Sequence, residues 1–567
     1  MPHSNETAKS SGAPARGLGF LNAVEWLGNK LPDPIFLFVF LALLVMAISH
    51  VGVLAGWRVQ PLRPVVITEA VLDASGQPAT DAQTGSALTR PVLDPKTGRP
   101  QTRLDPKGEP ITGRSLLSAD GIYWALSSMV RNFMNFPPLG IVLTGMLGIG
   151  VAEKVGLFGA LIKWLAGIMP ARLLTPTVIF IGIMSNVASD AGYIVLPPLA
   201  AALYMAVGRS PLAGIAAAFA GISGGFSANL LIGTTDALAA GLSAQAAQTI
   251  DPKYEVVATC NWYFLAGSAV LLTFLGWFVS ERMVEPRLRF KKPEDGGPAA
   301  ASAASADSQR LTPQERRGLR WALIVEVLAL AALAAVILIP GAPLYGQDQE
   351  RPLPRWSQAI VPLIFLLSLA PGVAYGIVVG EIRSTTHVAK AFIHAMSTMA
   401  PIVALAFFAA QFIEYLKYSR LDAMIAYTGG QALVELGLPP TLLLGGIVLL
   451  SLTINLFIGS MSAKWSMLAP ILVPMLMMVG LSPELTQVAY RVGDSVTNII
   501  TPMNSYIIVI LAFVQRHAKS AGMGTLFAMM LPYSLVFMVV WTLFLMGWFA
   551  LGVPLGPQGP LHYVPVH

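Results

Sequence analysis

The chain runs to 567 residues, 55% of them hydrophobic and only 12% charged, against roughly 25% charged in an average soluble domain. With a mean hydropathy of +0.65, that shortage of charge excludes an ordinary cytosolic enzyme and describes a polytopic membrane protein. The net charge of +6 sits in segments that flank apolar runs, so it reads as an orientation signal and not as a nucleic-acid footprint; the single cysteine, Cys260, and seven histidines without an HExxH pair exclude a disulfide framework and a structural zinc site.

Residues 1–33 are polar and rich in Ser, Gly and Ala, and read as a cytoplasmic N-terminal segment. The run from Pro34 to Trp57 carries no ionised side chain and is long enough to span, which predicts a retained first transmembrane helix at 34–57 and not a cleaved signal peptide. Residues 58–118 form a hydrophilic, extracytoplasmic insert with turn-rich clusters such as Asp94-Pro-Lys-Thr-Gly-Arg. Continuous spans are expected near Leu139–Val151, Pro176–Met184, Trp262–Val279, Trp321–Ile339, Ile360–Val379, Leu442–Ile458 and Leu526–Leu551. Between the third and fourth lies a basic linker, 281–320, in which Arg282, Arg287, Arg289, Lys291, Lys292, Arg316, Arg317 and Arg320 flank two apolar runs, so it is expected on the cytoplasmic side. Its middle, Ala299–Ser308, is an Ala/Ser linker, and the tail at 553–567 has no Lys or Arg, as an extracytoplasmic tail would.

Four other stretches are interrupted by Asn, Ser, Thr, Gly, Pro and Asp: Ser185–Pro198, Gly221–Asp236, Asn455–Pro474 and Gly493–Asn504. Freed backbone groups find no water in hydrocarbon, so such breaks survive only where protein or an aqueous cavity surrounds them. A shift of 272 positions pairs Leu196 with Leu468, Pro198 with Pro470, Gly208 with Gly480, Ser210 with Ser482, Pro211 with Pro483, Gly221 with Gly493 and Ser223 with Ser495, and sets Tyr193 against Trp465. An ungapped register that aligns Pro, Gly and Ser points to a duplication, the architecture that places a transporter's site near mid-membrane. The halves are then 119–280 and 384–552, joined by the linker and by connecting helices at 321–383.

The stretches FPPLGIVLTGMLGIGVAEKVGL (136–157), SNVASDAGYIVLPPLAA (185–201), NLFIGSMSAKWSMLAPILVPML (455–476) and ELTQVAYRVGDSVTNIITPMN (484–504) resemble the p-aminobenzoyl-glutamate transporter (AbgT) family, over about Asp120–Trp548. The resemblance implies an all-α fold of about nine transmembrane helices and two re-entrant hairpins in an inverted repeat. It also implies a homodimer in the bacterial plasma membrane. The family is associated with uptake of p-aminobenzoyl-glutamate or ion-coupled efflux of sulfonamide antimetabolites. By resemblance, the functional positions fall on Asp190, Asn455, Ser462, Trp465, Arg491, Asp494 and Pro502. The 58–115 insert is longer than the family pattern.

The same residues can be read without the family. Carboxylates at membrane depth are costly unless paired or solvated, so Asp190 and Asp494 stand out. Arg491, three residues before Asp494, shares its helical face: the two either neutralise each other or separate, Arg491 meeting a substrate carboxylate while Asp494 exchanges a proton or holds a cation. Asp190 is either a helix cap or, with Ser185, Asn186 and Ser189, a source of hard oxygen ligands. Asn186, Asn229, Asn455 and Asn498 offer donors and acceptors without charge, for a cation, a carboxylate or interhelical bonding. Trp465 presents a flat surface on which an aminobenzoyl ring can stack, or simply packs. Ser462 and Thr497 can orient a ligand amide, and Pro502 is expected to interrupt its helix.

Two motifs are set aside. Gly221-Ile-Ser-Gly-Gly225 has the spacing of a nucleophile elbow but no preceding strand, and close helix packing explains it better; Gly148-Ile-Gly150 lacks the rest of a dinucleotide fingerprint. An intramembrane enzyme would need a His, Cys or metal constellation, and none is visible. Without a Walker-type loop the expectation is a secondary transporter without a cofactor, driven by a proton or sodium gradient, that carries an aromatic carboxylate or sulfonamide. The alternative is a sodium-coupled di- or tricarboxylate importer.

Overall fold

The computed structural model describes residues 34–71, 77–78, 88–93, 101–106, 108–167, 170–186, 191–298, 311–347, 354–504 and 506–565. They are mostly helical: α1 (Pro34–Leu54), α2 (Ala119–Met134), α3 (Pro137–Lys154), α4 (Leu157–Gly167), α5 (Leu174–Ser185), α6 (Ala191–Ala206), α7 (Pro211–Phe219), α8 (Thr234–Ala247), α9 (Trp262–Val279), α10 (Pro313–Leu338), α11 (Ile360–Val379), α12 (Thr385–Thr398), α13 (Ala400–Ser419), α14 (Leu421–Leu436), α15 (Pro440–Asn455), α16 (Met461–Met478), α17 (Pro483–Thr497), α18 (Ile507–His517) and α19 (Met523–Leu551). The N-terminal segment, Asp190 and the linker Ala299–Ser308 lie outside the described residues.

Seven helices among the described residues are long and apolar enough to cross a bilayer: α1, α9 with its continuation to Leu288, α10, α11, α13, α16 and α19. The bent pair Leu143–Lys154 and Leu157–Trp164, at 65°, makes an eighth if taken as one span. Two expected spans are corrected. Pro176–Met184 falls in α5, of 12 residues, and Leu442–Ile458 overlaps α15, of 16, and runs three residues past its end; both helices are short of the ~20 residues that cross the hydrocarbon core. Each ends at an asparagine, Asn186 or Asn455, whose side-chain amide hydrogen-bonds to backbone carbonyls. Conversely α13 is long and apolar enough to cross although Gln411, Glu414 and Lys417 disguise it; Gln411 accepts from Asn132 Nδ2 at 3.0 Å and Lys417 pairs with Glu414 at 3.1 Å.

The expectation of an all-α chain is also corrected in the 58–118 insert. There β1 (Arg58–Val59) pairs with β6 (Ile111–Thr112), β2 (Leu62–Val66) with β5 (Thr102–Pro106) and β3 (Thr68–Ala70) with β4 (Thr89–Pro91), all antiparallel. The nesting makes one two-stranded ribbon that leaves α1 and returns to α2. Its strands are too short and too rich in Pro and Arg to show a clear alternation in sequence. The base is tied to α1 by Ser49 Oγ, which accepts from Leu116 N at 3.1 Å.

The elements α15–α18 follow α5–α8 in the same order and at nearly constant distance. Both α7 and α17 open with Ser-Pro: Ser210 Oγ accepts from Ala213 N at 3.4 Å and Ser482 Oγ from Leu485 N at 3.0 Å, each followed by Pro at N1. The turns before them are made by Gly208 (φ 72°) and Gly480 (φ 80°), a conformation that disfavours other residues. At Gly221 and Gly493, 272 positions apart, an added Cβ would stand 2.4 Å from Ile179 O and 2.3 Å from Val448 O, so each helix lies directly on a neighbouring backbone. Residues 220–224, which hold the set-aside Gly221 motif, form a π turn at the end of α7, without a strand before it.

The two caps are moored to different parts of the chain. Ser210 Oγ donates to Gly296 O at 2.6 Å, next to the Asp295–Ala518 bridge that precedes α19. Ser482 Oγ donates to Pro560 O at 2.6 Å, in the tail that follows α19, where Leu555, Leu561 and Tyr563 are buried. The 29 residues of α19 separate these moorings by about 43 Å of helix.

Candidate functional site

The centre of the fold is α17, PELTQVAYRVGDSVT, every residue of which is buried. A helix this polar cannot be enclosed unless neighbouring side chains replace water, because an unpaired buried charge costs several kcal/mol. Those neighbours are α8, α15, α16, α19 and the π turn after α7.

Two ion pairs meet on it. Arg491 Nη2 lies 2.6 Å from Asp236 Oδ1 of α8, and Asp236 Oδ2 accepts from Gly233 N at 2.6 Å, capping the start of α8. Lys464 of α16 pairs with Asp494 Oδ1 and also donates to Asn455 Oδ1; all three side chains are fully enclosed. Arg491 and Asp494 therefore share a face of α17 without pairing with each other. Of the two readings of this face, mutual neutralisation is overturned: each takes its counter-charge from a different helix. The site is not saturated, since Arg491 Nε and Nη1 and Asp494 Oδ2 are buried without hydrogen-bond partners.

The rings and amides fill in between. Trp465 stacks on Tyr490 at a centroid distance of 4.5 Å and an interplanar angle of 22°, and its Nε1 donates to Ser243 Oγ at 3.1 Å. The Tyr490 hydroxyl is 2.7 Å from Met461 O and 3.3 Å from Asp494 Oδ1, so its one proton serves one of the two. Ser243 Oγ in turn lies 2.7 Å from Gln487 Oε1. Asn455 Nδ2 meets Asp494 O (2.5 Å), Thr497 Oγ1 (2.8 Å) and Asn498 Oδ1 (2.9 Å), three acceptors for two hydrogens.

The interruptions converge here as well. Gly459, in the break between α15 and α16, comes so close to Met503 that an added Cβ would stand 2.3 Å from its carbonyl oxygen. Asn504 Nδ2 donates to Ser223 Oγ and to Asn498 O, both at 2.9 Å, and Ser227 N donates to Ser495 Oγ at 3.2 Å, so breaks of the two halves touch. Two expectations about breaks change. The break in Asn455–Pro474 is confined to residues 456–460, since α16 runs unbroken through Pro470 and Pro474. Pro502 does not interrupt α17, which has ended at Thr497; the released carbonyls of Asp494 and Asn498 are taken by the amides of Asn455 and Asn504.

Of the residues singled out from the sequence, Asn455, Trp465, Arg491, Asp494 and Asn498 come together around α17 and its C-terminal end. Ser462 stands at the start of α16, its Oγ 3.1 Å from Ser460 Oγ, and Pro502 lies in the facing turn. Asn186 is in the first half, where its Nδ2 donates to Ile183 O at 3.1 Å and its Oδ1 is buried without a partner among the described residues. Asp190, outside those residues, has no structural account. Sequence reasoning missed Lys464, Asp236, Tyr490 and Ser243. The rule that singled out Asp494, an ionisable group inside an apolar stretch, applies equally to Lys464 and to Asp236.

With this geometry in view, comparisons with known proteins are specific. Residues 19–563 match the model of the AbgT putative transporter family. The p-aminobenzoyl-glutamate transport protein of Escherichia coli K12 is 35% identical over 537 residues, which cover 94% of this chain and 95% of that protein. Two solved transporters have similar structures. Alcanivorax borkumensis YdaH shares 39% identity at a TM-score of 0.78, over 93% of this chain and all of that one. Neisseria gonorrhoeae MtrF, described as illuminating a class of antimetabolite efflux pumps, shares 41% at a TM-score of 0.80, over 95% of this chain and all of that one. The match across nearly the whole length establishes that this multi-pass membrane protein belongs to the AbgT family of transporters.

Proposed function

We propose that the chain is an ion-gradient-driven secondary transporter of p-aminobenzoyl-glutamate or related folate catabolites and sulfonamide antimetabolites, working as a homodimer in the bacterial plasma membrane. The observation that carries this reading is the enclosed polar helix α17, whose Arg491–Asp236 and Lys464–Asp494 pairs draw on three helices and leave donors and an acceptor unused. In the proposed cycle a carboxylate of the cargo replaces Asp236 on Arg491, which can bind it through two parallel N–H bonds. The Trp465–Tyr490 stack opens to take the aromatic ring, and Asn455, Ser462 and Pro502 line the approach. Asp190, Asn186, Asp494 and Asn498 form the ion-coupling set. Lys464 already supplies a cation between Asn455 and Asp494, which supports proton exchange on this pair over sodium binding between the same oxygens.

The finer architecture belongs to the same proposal: about nine spans and two re-entrant hairpins in an inverted repeat. The matched caps at Ser210 and Ser482 support it, because one is moored before α19 and the other after it, as two halves of opposite orientation require. Two buried cations would also suit a dicarboxylate, so the sodium-coupled di- or tricarboxylate importer stays as the second reading.

The test is flux in proteoliposomes with labelled p-aminobenzoyl-glutamate, a sulfonamide and a four-carbon dicarboxylate, under imposed pH and sodium gradients. Gradient-driven movement of either of the first two is expected, with loss in Asp494→Asn and Trp465→Ala. Flux no greater than in protein-free vesicles would refute the function; full activity in both variants would refute the site.

A further inference from the structure

The start of α10 carries Arg316, Arg317 and Arg320 on an exposed face, and with Leu311, Pro313, Trp321 and Ile324 they line an open cavity of about 530 Å³. No carboxylate among the described residues pairs with any of the three arginines. The acid next to them in the chain, Glu315, is already engaged, with Lys163 Nζ at 3.0 Å and Thr312 N at 2.7 Å. The cavity thus gathers three positive charges that the described part of the chain does not neutralise.

The position of the cavity along α10 says what that anion is attached to. From Trp321 to Leu338 the helix is 18 residues of almost wholly apolar sequence, about 27 Å at 1.5 Å per residue and close to the thickness of a hydrocarbon core. The three arginines are thus level with one layer of lipid headgroups, and Trp321 is where an interfacial tryptophan belongs. The opposite face of the helix is used for packing: Gly318 lies on the ring of Tyr375 of α11, and Ala322 is buried. On the outward face Trp321 (48% exposed), Ile324 (47%), Val327 (56%) and Leu328 (63%) continue the line of the arginines into the apolar zone. A free phosphate would use the cations alone. A phospholipid uses the whole surface, with its phosphate among the guanidinium groups and its acyl chains along Ile324, Val327 and Leu328.

We infer that the cavity at the start of α10 is a binding site for an anionic phospholipid, with Arg316, Arg317 and Arg320 on the headgroup phosphate. The site is separate from the α17 cluster and does not depend on the transport reading. It is tested with the full-length protein in detergent by native mass spectrometry, titrating phosphatidylglycerol, cardiolipin or phosphatidylcholine. The wild type should retain the two anionic lipids in preference to phosphatidylcholine. R316Q/R317Q/R320Q should bind them about 100-fold more weakly, about fivefold for each arginine lost, and R287Q/R289Q, in the neighbouring basic segment, should bind as the wild type does. If the triple variant does not fold, R320Q alone should show the fivefold loss. Equal retention of anionic lipid by wild type and R320Q, or equal retention of all three lipids, would overturn the assignment. So would displacement of phosphatidylglycerol by millimolar inorganic phosphate, which would mark a free-phosphate site. A crosslink between two copies through cysteines placed at 317 and 320 would show a second chain covering the cavity, and would overturn it too.

Discussion

Changing Asp494 to asparagine removes the counter-charge of an ammonium that is fully enclosed, and leaves Lys464 only neutral amide oxygens, that of Asn455 and that of the new side chain, as acceptors. Breaking a buried pair from one side costs about 3–5 kcal/mol, because the remaining charge stays desolvated. The surviving hydrogen bond from Lys464 puts Asp494→Asn near the lower figure. Lys464→Met leaves a carboxylate with only the Tyr490 hydroxyl at 3.3 Å, and belongs near the upper one. The double variant Lys464→Met/Asp494→Asn holds no buried charge at this point, so its loss should fall below the sum of the single losses by about 2 kcal/mol or more. The assay is unfolding of the purified protein by titrated dodecyl sulfate in mixed micelles, followed by far-ultraviolet circular dichroism, with flux measured on the same preparations. The double variant should be more stable than the sum of the single losses predicts, while flux stays absent. Additive losses would refute the ion pair, and a double variant that transports at the wild-type rate would refute its place in the cycle.

Arg491→Lys keeps the charge opposite Asp236 but not the planar fork, so folding should change by only about 1 kcal/mol while flux falls at least ~10-fold; unchanged flux would mean that Arg491 serves the fold alone. Gly493→Ala forces a methyl group to within 2.3 Å of Val448 O and should cost about 1–3 kcal/mol in the same titration. Gly446→Ala, with open space around it, should be neutral or stabilising by up to ~1 kcal/mol. Burial pushes the Cys260 thiol well above the usual range, so it is protonated and shielded at neutral and mildly alkaline pH. N-ethylmaleimide should therefore label this one cysteine only after unfolding, and rapid labelling of the native protein at pH 8 would contradict the packing of the 251–261 segment.

Much of the site was legible because charge in an apolar run is its own signal: Arg491, Asp494 and Asn455 stood out by residue type alone. Who pairs with whom was not, because helical spacing speaks only for neighbours on one helix. Arg491 and Asp494 are one turn apart, yet Asp236 and Lys464 reach them from elements about 255 and 30 residues away. Span limits failed for a similar reason. The helix α5 is as apolar as a full span yet ends at Ser185, where Asn186 turns its amide back onto Ile183 O, whereas α13 hides its length behind Gln411, Glu414 and Lys417, whose partners a linear reading cannot supply. The ribbon at 58–112 escaped because its strands are two to five residues long and pair across up to 54 positions.

The moorings of the two caps also set an order of events during synthesis. Ser210 finds its acceptor, Gly296, 86 residues later, within the basic segment that follows α9. Ser482 must wait 78 residues for Pro560, past the whole of the last helix, and Tyr563 N then closes on Gly480 O at 3.0 Å. The ribosome has therefore made α18 and α19 before the charged core helix can be sealed at its entrance. Until then Arg491 and Asp494 are held by a half-built protein, and a nascent chain stalled near residue 552 would be an early substrate for membrane proteases.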